Sequence, residues 1–388
     1  MSLRAKACVA GIFEHPTRHA IGKSAAQLHA ECAKGALQDA GLTKDDVDGY
    51  FCGGDAHGAL SMVEYLNLKV RHVDSTDLGG ASALAHVAHA VEAIAAGRCN
   101  VALITQAGRP RSEGQRVGVQ QLRSGDPNQP ELAFEYAYRP IILNNFAMCA
   151  ARHMHEYGTT SAQLAMIKVS ASEHAQHNPN ALLRRRISVD EVLASPMLAT
   201  PLHRMDCCVV TDGGGAVIVT RPEIARSLGR PAIGIIGVGE AIRGQSGGDV
   251  DLTRFATQES GAAAFGMAGV KPADIKYASI YDCFTIAVLI QLEDLGFCAK
   301  GAGGRFVEEG NLIAGRGSLP FNTDGGGLCS NHPGNRGGIT KIIEAVRQAR
   351  GEAHPALQVK DPSVVLATGI GGQIGRRHGS ATLIMERA

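Results

Sequence analysis

The chain carries the trace of an internal duplication, and this restricts its fold more than any other feature. Val9-Ala10-Gly11-Ile12-Phe13-Glu14 aligns with Ile235-Ile236-Gly237-Val238-Gly239-Glu240, 226 residues further on. Ala40-Gly41-Leu42, with Asp46-Val47 behind it, aligns with Ala268-Gly269-Val270 and Asp274-Ile275 at a spacing of 228. The run Val91 to Gly97 meets Ala345 to Gly351 at 254, and Val101 to Thr105 meets Val364 to Thr368 at 263. The spacings only grow, as insertions into a duplicated unit would make them.

Each unit reads as strand, helix closing on Ala-Gly, strand, loop, helix closing on Gly, and a buried strand. The uninterrupted apolar runs Val101 to Thr105 and Val364 to Thr368 suit a sheet covered on both faces. Gly41 and Gly97 follow apolar helical runs, about Ala25 to Ala40 and Ser82 to Ala96, as C-terminal caps do. Alternating strands and helices predict an α/β fold with a mostly parallel sheet. The expected organisation is a first half over 1–108, an inserted loop domain over 109–205, the end of the first half over 206–230, and a second half over 231–388. The insertion holds a helix near Asn145 to Tyr157 and the basic run Arg184-Arg185-Arg186.

Composition narrows the function classes. With 38 Lys+Arg against 37 Asp+Glu the net charge is +1, which leaves no electrostatic footprint for nucleic acid or an anionic membrane. No apolar stretch reaches the length of a membrane span and the N-terminus carries no leader pattern, so a cytoplasmic protein is expected. The ten cysteines show no C-x-x-C pair and read as reduced thiols; Cys207-Cys208 are adjacent, which does not suit zinc, so no metal site is expected. Gly325-Gly326-Gly327 lacks the spacing of a nucleotide-phosphate loop, and neither NAD nor ATP is implied.

Four segments carry a resemblance. They are Asp206-Cys207-Cys208 with Thr211-Asp212-Gly213; Tyr281-Asp282-Cys283-Phe284-Thr285, followed by Gln291 to Cys298; Gly325-Gly326-Gly327 leading to Asn331-His332-Pro333-Gly334; and Gly369-Ile370-Gly371-Gly372. In this order, after a duplicated α/β unit with a long insertion, they resemble the active-site loops of the thiolase superfamily, in its sterol-carrier-protein-type branch. The resemblance covers essentially the whole chain. It implies a thiolase fold, two similar βαβαβ halves in a layered α-β-α-β-α core, and a homodimer acting on acyl-CoA. Coenzyme A would enter as part of the substrate, with no tightly bound cofactor.

The departure from that pattern bears on chemistry. Counting back from Gly97 places Ser82 at the family's Ser/Thr position and Gly80 at its nucleophilic cysteine, within Asp77-Leu78-Gly79-Gly80-Ala81-Ser82. A Claisen condensation through an acyl-cysteine needs a thiolate, and Gly80 has none. Tyr281 replaces the family's histidine, and that exchange is similar to the thiolase-like aldolases of steroid side-chain breakdown, which also lack the cysteine. Met154-His155 with Gly158, and Glu293 through Lys300, extend this likeness. The resemblance implies retro-aldol cleavage of a β-hydroxyacyl-CoA through an enolate, with Tyr281 as base and Cys283 as acid/base, its thiol acidified by His332. Asp282 belongs to the same catalytic set and is expected to orient the loop rather than react, His332 is an oxyanion donor, and Gly80, Gly371 and Gly372 supply backbone N–H groups. Those aldolases carry a second tyrosine where this chain has Asn331-His332. They also work with a small zinc-ribbon/OB-fold subunit, which makes such a subunit an expected partner. Further candidates are Ser82, activated by His86 or His89, together with His57 and His378. The neighbours Arg376 and Arg377 make His378 read as an exposed turn residue. Arg184 to Arg186 are placed for CoA phosphates or as a solvated cluster. Two other readings remain open: an acyltransferase using Ser82 or Cys283, and a non-catalytic CoA-ester-binding or scaffold subunit.

Overall fold

A computed structural model describes residues 3–53, 58–117, 142–244, 251–372 and 378–387. Its frame is one nine-stranded sheet. The strands are β1 (Cys8–Glu14), β2 (Gly49–Cys52), β3 (His72–Ser75), β4 (Val101–Gly108), β7 (Gly213–Thr220), β8 (Ile233–Arg243), β9 (Tyr277–Ile280), β10 (Val364–Gly372) and β11 (His378–Arg387); β5 (Met197–Ala199) and β6 (Leu202–His203) form a separate hairpin. Their order is β3-β2-β4-β7-β1-β8-β11-β10-β9. The duplication is visible in that order: β2-β4-β7-β1 is mirrored by β9-β10-β11-β8. The halves join through a short antiparallel contact, Cys8 opposite Gly234 and Val9 opposite Ile233.

The sheet is mixed, which corrects the expectation of a mostly parallel one. Parallel pairing is confined to β3-β2-β4 and to β9-β10, while β7 and β11 each run antiparallel between their neighbours. Burial on both faces, read correctly from the apolar runs, does not reveal strand direction.

Seven helices matter to the layers: α1 (Ala25–Ala40), α2 (Ser82–Ala95), α3 (Ile142–Tyr157), α4 (Ser161–Ala175), α5 (Thr257–Ala268), α6 (Thr285–Asp294) and α7 (Gly338–Arg350). α1 packs on β1, β7 and β4, and α5 on β8 and β11, as outer layers. α2 and α7 touch strands of both halves and each other, so they form the middle layer and are buried along nearly their whole length. Gly11 and Gly237, equivalent in the repeat, show why small residues recur. A Cβ there would lie 2.4 Å from the Ala36 carbonyl and 2.3 Å from the Ala264 carbonyl, so each outer helix sits directly on its strand. The caps match too, with Gly41 at φ 71° and Gly269 at φ 67°. Among the described residues no helix is long and apolar enough to cross a membrane, and no group of three His, Cys, Asp or Glu side chains could hold a metal ion.

Candidate active site

Four loop ends converge at one end of the sheet: the turn before α2, the link from β9 to α6, the segment before α7, and the end of β10. They line a cavity of about 770 Å³ whose wall includes Gly79, Gly80, Tyr281, Cys283, His332, Gly371, Gly372 and His378. From the insertion come Ile142 and Phe146 of α3, with Gln115, Arg116 and Val117 ahead of it.

The glycine loops lie backbone against backbone. A Cβ at Gly371 would sit 1.8 Å from the Leu78 carbonyl oxygen, and Gly79 and Gly372 hold φ of +58° and +79°. Only glycine permits this approach. Gly80 is tighter still: its Cβ would lie 2.3 Å from Cζ of Tyr281 and 2.5 Å from the Ile370 carbonyl oxygen. The Tyr281 ring therefore fills the space that any side chain at position 80 would need.

Tyr281 is 4% exposed and its hydroxyl donates to the Gly334 carbonyl at 3.2 Å. The His332 ring lies beside it, with centroids 5.4 Å apart. Burial, with Cys283 and Cys208 nearby, pushes the Tyr281 phenol well above its usual range, so it stays protonated. Burial likewise pulls His332 down to about 4, leaving a neutral imidazole whose Nε2 has no hydrogen-bond partner among the described residues. The Cys283 thiol is pushed up by burial and by the nearby Cys208 and Asp282. The expectation that His332 acidifies it is corrected: a neutral imidazole offers a thiolate no charge, and Cys283 stays a thiol.

Asp282 is not part of the cavity wall. It is fully buried, accepts from the Gly327 and Leu328 N–H groups at 2.8 and 3.1 Å, and pairs with Lys341 at 2.7 Å. Its carboxyl is pushed up by burial but held below the ordinary range by Lys341. It is the post that fixes the loop carrying His332. Asp206 to Asp212 thread between these loops: the Cys208 N–H donates to the Cys283 carbonyl, and the Thr211 hydroxyl accepts from the His332 N–H at 2.8 Å.

Ser82 is bound on both sides of its hydroxyl. Its hydroxyl donates to the Gly79 carbonyl at 2.7 Å and accepts from the Leu78 N–H at 2.9 Å, which ties the glycine turn to α2. The bases expected to activate it are occupied elsewhere: His86 accepts from the Thr76 N–H, and His89 lies between Asp74 and Glu240. Arg185 and Arg186 pair with Glu191 and Glu173, and Arg184 donates to the Gln176 carbonyl; none is in the cavity wall. His57 lies outside the described residues. His378 reverses its expectation: it opens β11, is 3% exposed, and belongs to the cavity wall. Sequence reasoning missed Lys341, although a lysine among Ile339, Ile342 and Ile343 at the start of the helix after the glycine loop was its signal. It also missed Arg116 and Arg336, which line the cavity.

Comparison with known proteins sets this geometry in a family. Residues 239–387 match the thiolase C-terminal domain-like model. The chain is 32% identical over 386 residues to the 17-hydroxy-3-oxo-4-pregnene-20-carboxyl-CoA lyase of Mycobacterium tuberculosis, covering 95% of this chain and 98% of the lyase. It is 31% identical over 366 residues to the acetyl-CoA acetyltransferase of Methanothermobacter thermautotrophicus, covering 89% and 91%. A solved structure described as an Ltp2-ChsH2(DUF35) aldolase superposes with a TM-score of 0.85 at 32% identity, covering 100% of this chain and 99% of that one.

Proposed function

Because the chain belongs to the thiolase superfamily, we propose that it cleaves a β-hydroxyacyl-CoA by a retro-aldol reaction, through a thioester enolate and without an acyl-cysteine. The observation that carries this reading is the Tyr281 ring lying where a side chain at position 80 would stand, with the His332 ring beside it and its Nε2 without a partner among the described residues. The names of the lyase and the aldolase point the same way.

The protonation states assign the roles differently from the sequence expectation. A protonated phenol is a donor, so with substrate bound the Tyr281 hydroxyl turns its one hydrogen from the Gly334 carbonyl to the thioester oxygen, with backbone N–H groups of Gly80, Gly371 and Gly372 completing the hole. The neutral His332 takes the β-hydroxyl proton. The Cα–Cβ bond breaks, its electron pair enters the enolate, and the hydroxyl carbon leaves as a carbonyl compound. His332 then returns the proton to Cα, with the Cys283 thiol as a second proton carrier, and a shortened acyl-CoA remains. Coenzyme A enters as part of the substrate, and no other cofactor is invoked.

The acetyltransferase relative gives a second reading, acyl transfer through another nucleophile. Ser82 is bound on both sides of its hydroxyl, and burial keeps Cys283 a thiol, so the geometry favours the lyase. The reading includes assembly. Strand β3 ends the sheet with Val73 exposed, an edge suited to a second copy, and the DUF35 component named with the aldolase supports a small partner subunit. The test is turnover of a β-hydroxyacyl-CoA panel, with and without such a partner, followed by mass spectrometry. Release of a carbonyl compound and a shortened CoA ester, reduced about 10²–10⁴-fold by His332→Ala, is expected. CoA-dependent thiolysis of a β-ketoacyl-CoA would overturn the reading.

A further inference from the structure

The cavity wall holds a second polar group that the proposed reaction does not use. In the β8–β11 ladder His378 lies directly opposite Arg243, so both side chains emerge on the same face of the sheet. The His378 ring stacks on Phe255, with centroids 5.0 Å apart, and its Nδ1 accepts from the Ala256 N–H at 3.2 Å. A backbone N–H only donates, so Nδ1 is unprotonated and the neutral ring carries its hydrogen on Nε2. Burial and the nearby Arg243 hold the ring's pKa down at about 3, which keeps this tautomer throughout the physiological range. Neither His378 Nε2 nor the buried Nη1 of Arg243 has a partner among the described residues. Asp251, the acid that Arg243 influences, bonds instead to Thr253 and pairs with Arg254.

We propose that His378 and Arg243 form a subsite for a carboxylate on the acyl part of the substrate. Buried donors without partners are rare, and here two belong to residues directly opposite each other in one ladder. A carboxylate offers two acceptor oxygens and the charge that a guanidinium matches, whereas an apolar chain end would satisfy neither group. The place fits, since His378, directly opposite Arg243, lines the same cavity as Tyr281 and His332. His378 is also paired across the strands with Gly372 of the catalytic glycine loop. An acyl chain whose thioester lies at Tyr281 would run toward this pair.

This inference rests on the CoA-ester reading, and the test separates the two. Succinyl-, glutaryl- and adipyl-CoA are each titrated calorimetrically against the monocarboxylic ester of the same chain length. At one chain length the carboxylate ester binds about tenfold or more tightly. That ratio falls toward one in His378→Asn, whose amide oxygen keeps the Ala256 bond but stops short of Nε2, and in Arg243→Met. Binding of the methyl-ended esters reports that each variant is folded. Methyl-ended esters binding wild type as tightly as the carboxylates would overturn the subsite and leave the CoA-ester reading intact. A preference unchanged in both variants would also overturn it. Binding of no ester at all would sink the CoA-ester reading itself.

Discussion

A side chain at position 80 would have to displace both the Tyr281 ring and the Ile370 carbonyl, and it is this exclusion that separates the site from acyl-enzyme chemistry. Gly80→Ala is therefore expected to destabilise the protein by about 1–3 kcal/mol, as overpacking does, in chemical denaturation. Lys341→Met would leave the Asp282 carboxylate buried without its cation and lower the unfolding free energy by about 3–5 kcal/mol. His332 must be neutral to accept a proton, so activity is retained above its value of about 4 and lost as the pH falls through it. A pH profile of kcat/KM centred near neutrality on the acid side would contradict that role. Gly80, Tyr281, Cys283 and His332 were legible in the sequence because each sits in a short motif. His378 was not, because flanking arginines mimic an exposed turn and only the ladder with β8 reveals its burial. Nor was Arg243, whose significance depends on the residue opposite it.

Among the elements, the caps and apolar runs were readable, and the helix expected over Ala25 to Ala40 has those bounds. Strand direction was not, since the antiparallel insertion of β7 and β11 depends on which edge each returns to. One tertiary clamp was equally invisible. His89 of α2 bridges Asp74 of β3 at 2.6 Å and Glu240 of β8 at 3.0 Å. Hydrogen bonds to Asp74 and Glu240 raise His89 from 6.5 to about 10, and the bond from His89 pulls Asp74 down to about 2. A raised histidine stabilises fully below its unfolded value and loses that contribution as the pH rises through the folded one. A lowered aspartate does so above its unfolded value and loses it as the pH falls. The clamp is thus strongest between about pH 4 and 6.5. His89→Gln is expected to cost on the order of 1–2 kcal/mol at about pH 6, allowing for solvent screening, and clearly less near pH 10. Equal losses at both would show that the charge contributes nothing.

At the scale of the whole molecule, the duplication foretold two halves but not how far they depend on each other. α2 and α7 are covered by strands of both halves, so each half alone would expose a helix that is buried in the intact chain. Residues 231–388 expressed alone are expected to lack a cooperative melting transition; a sharp one would show an independent domain. The layered core in turn holds the four loops whose meeting makes the cavity. The central claim concerns what happens there: a carbon–carbon bond is broken with no acyl group passing to the protein. The most direct test is intact-protein mass spectrometry during turnover of a β-hydroxyacyl-CoA. Unmodified protein alongside a carbonyl compound and a shortened CoA ester is the predicted result; a protein carrying one added acyl group, formed and discharged at the rate of turnover, would contradict it.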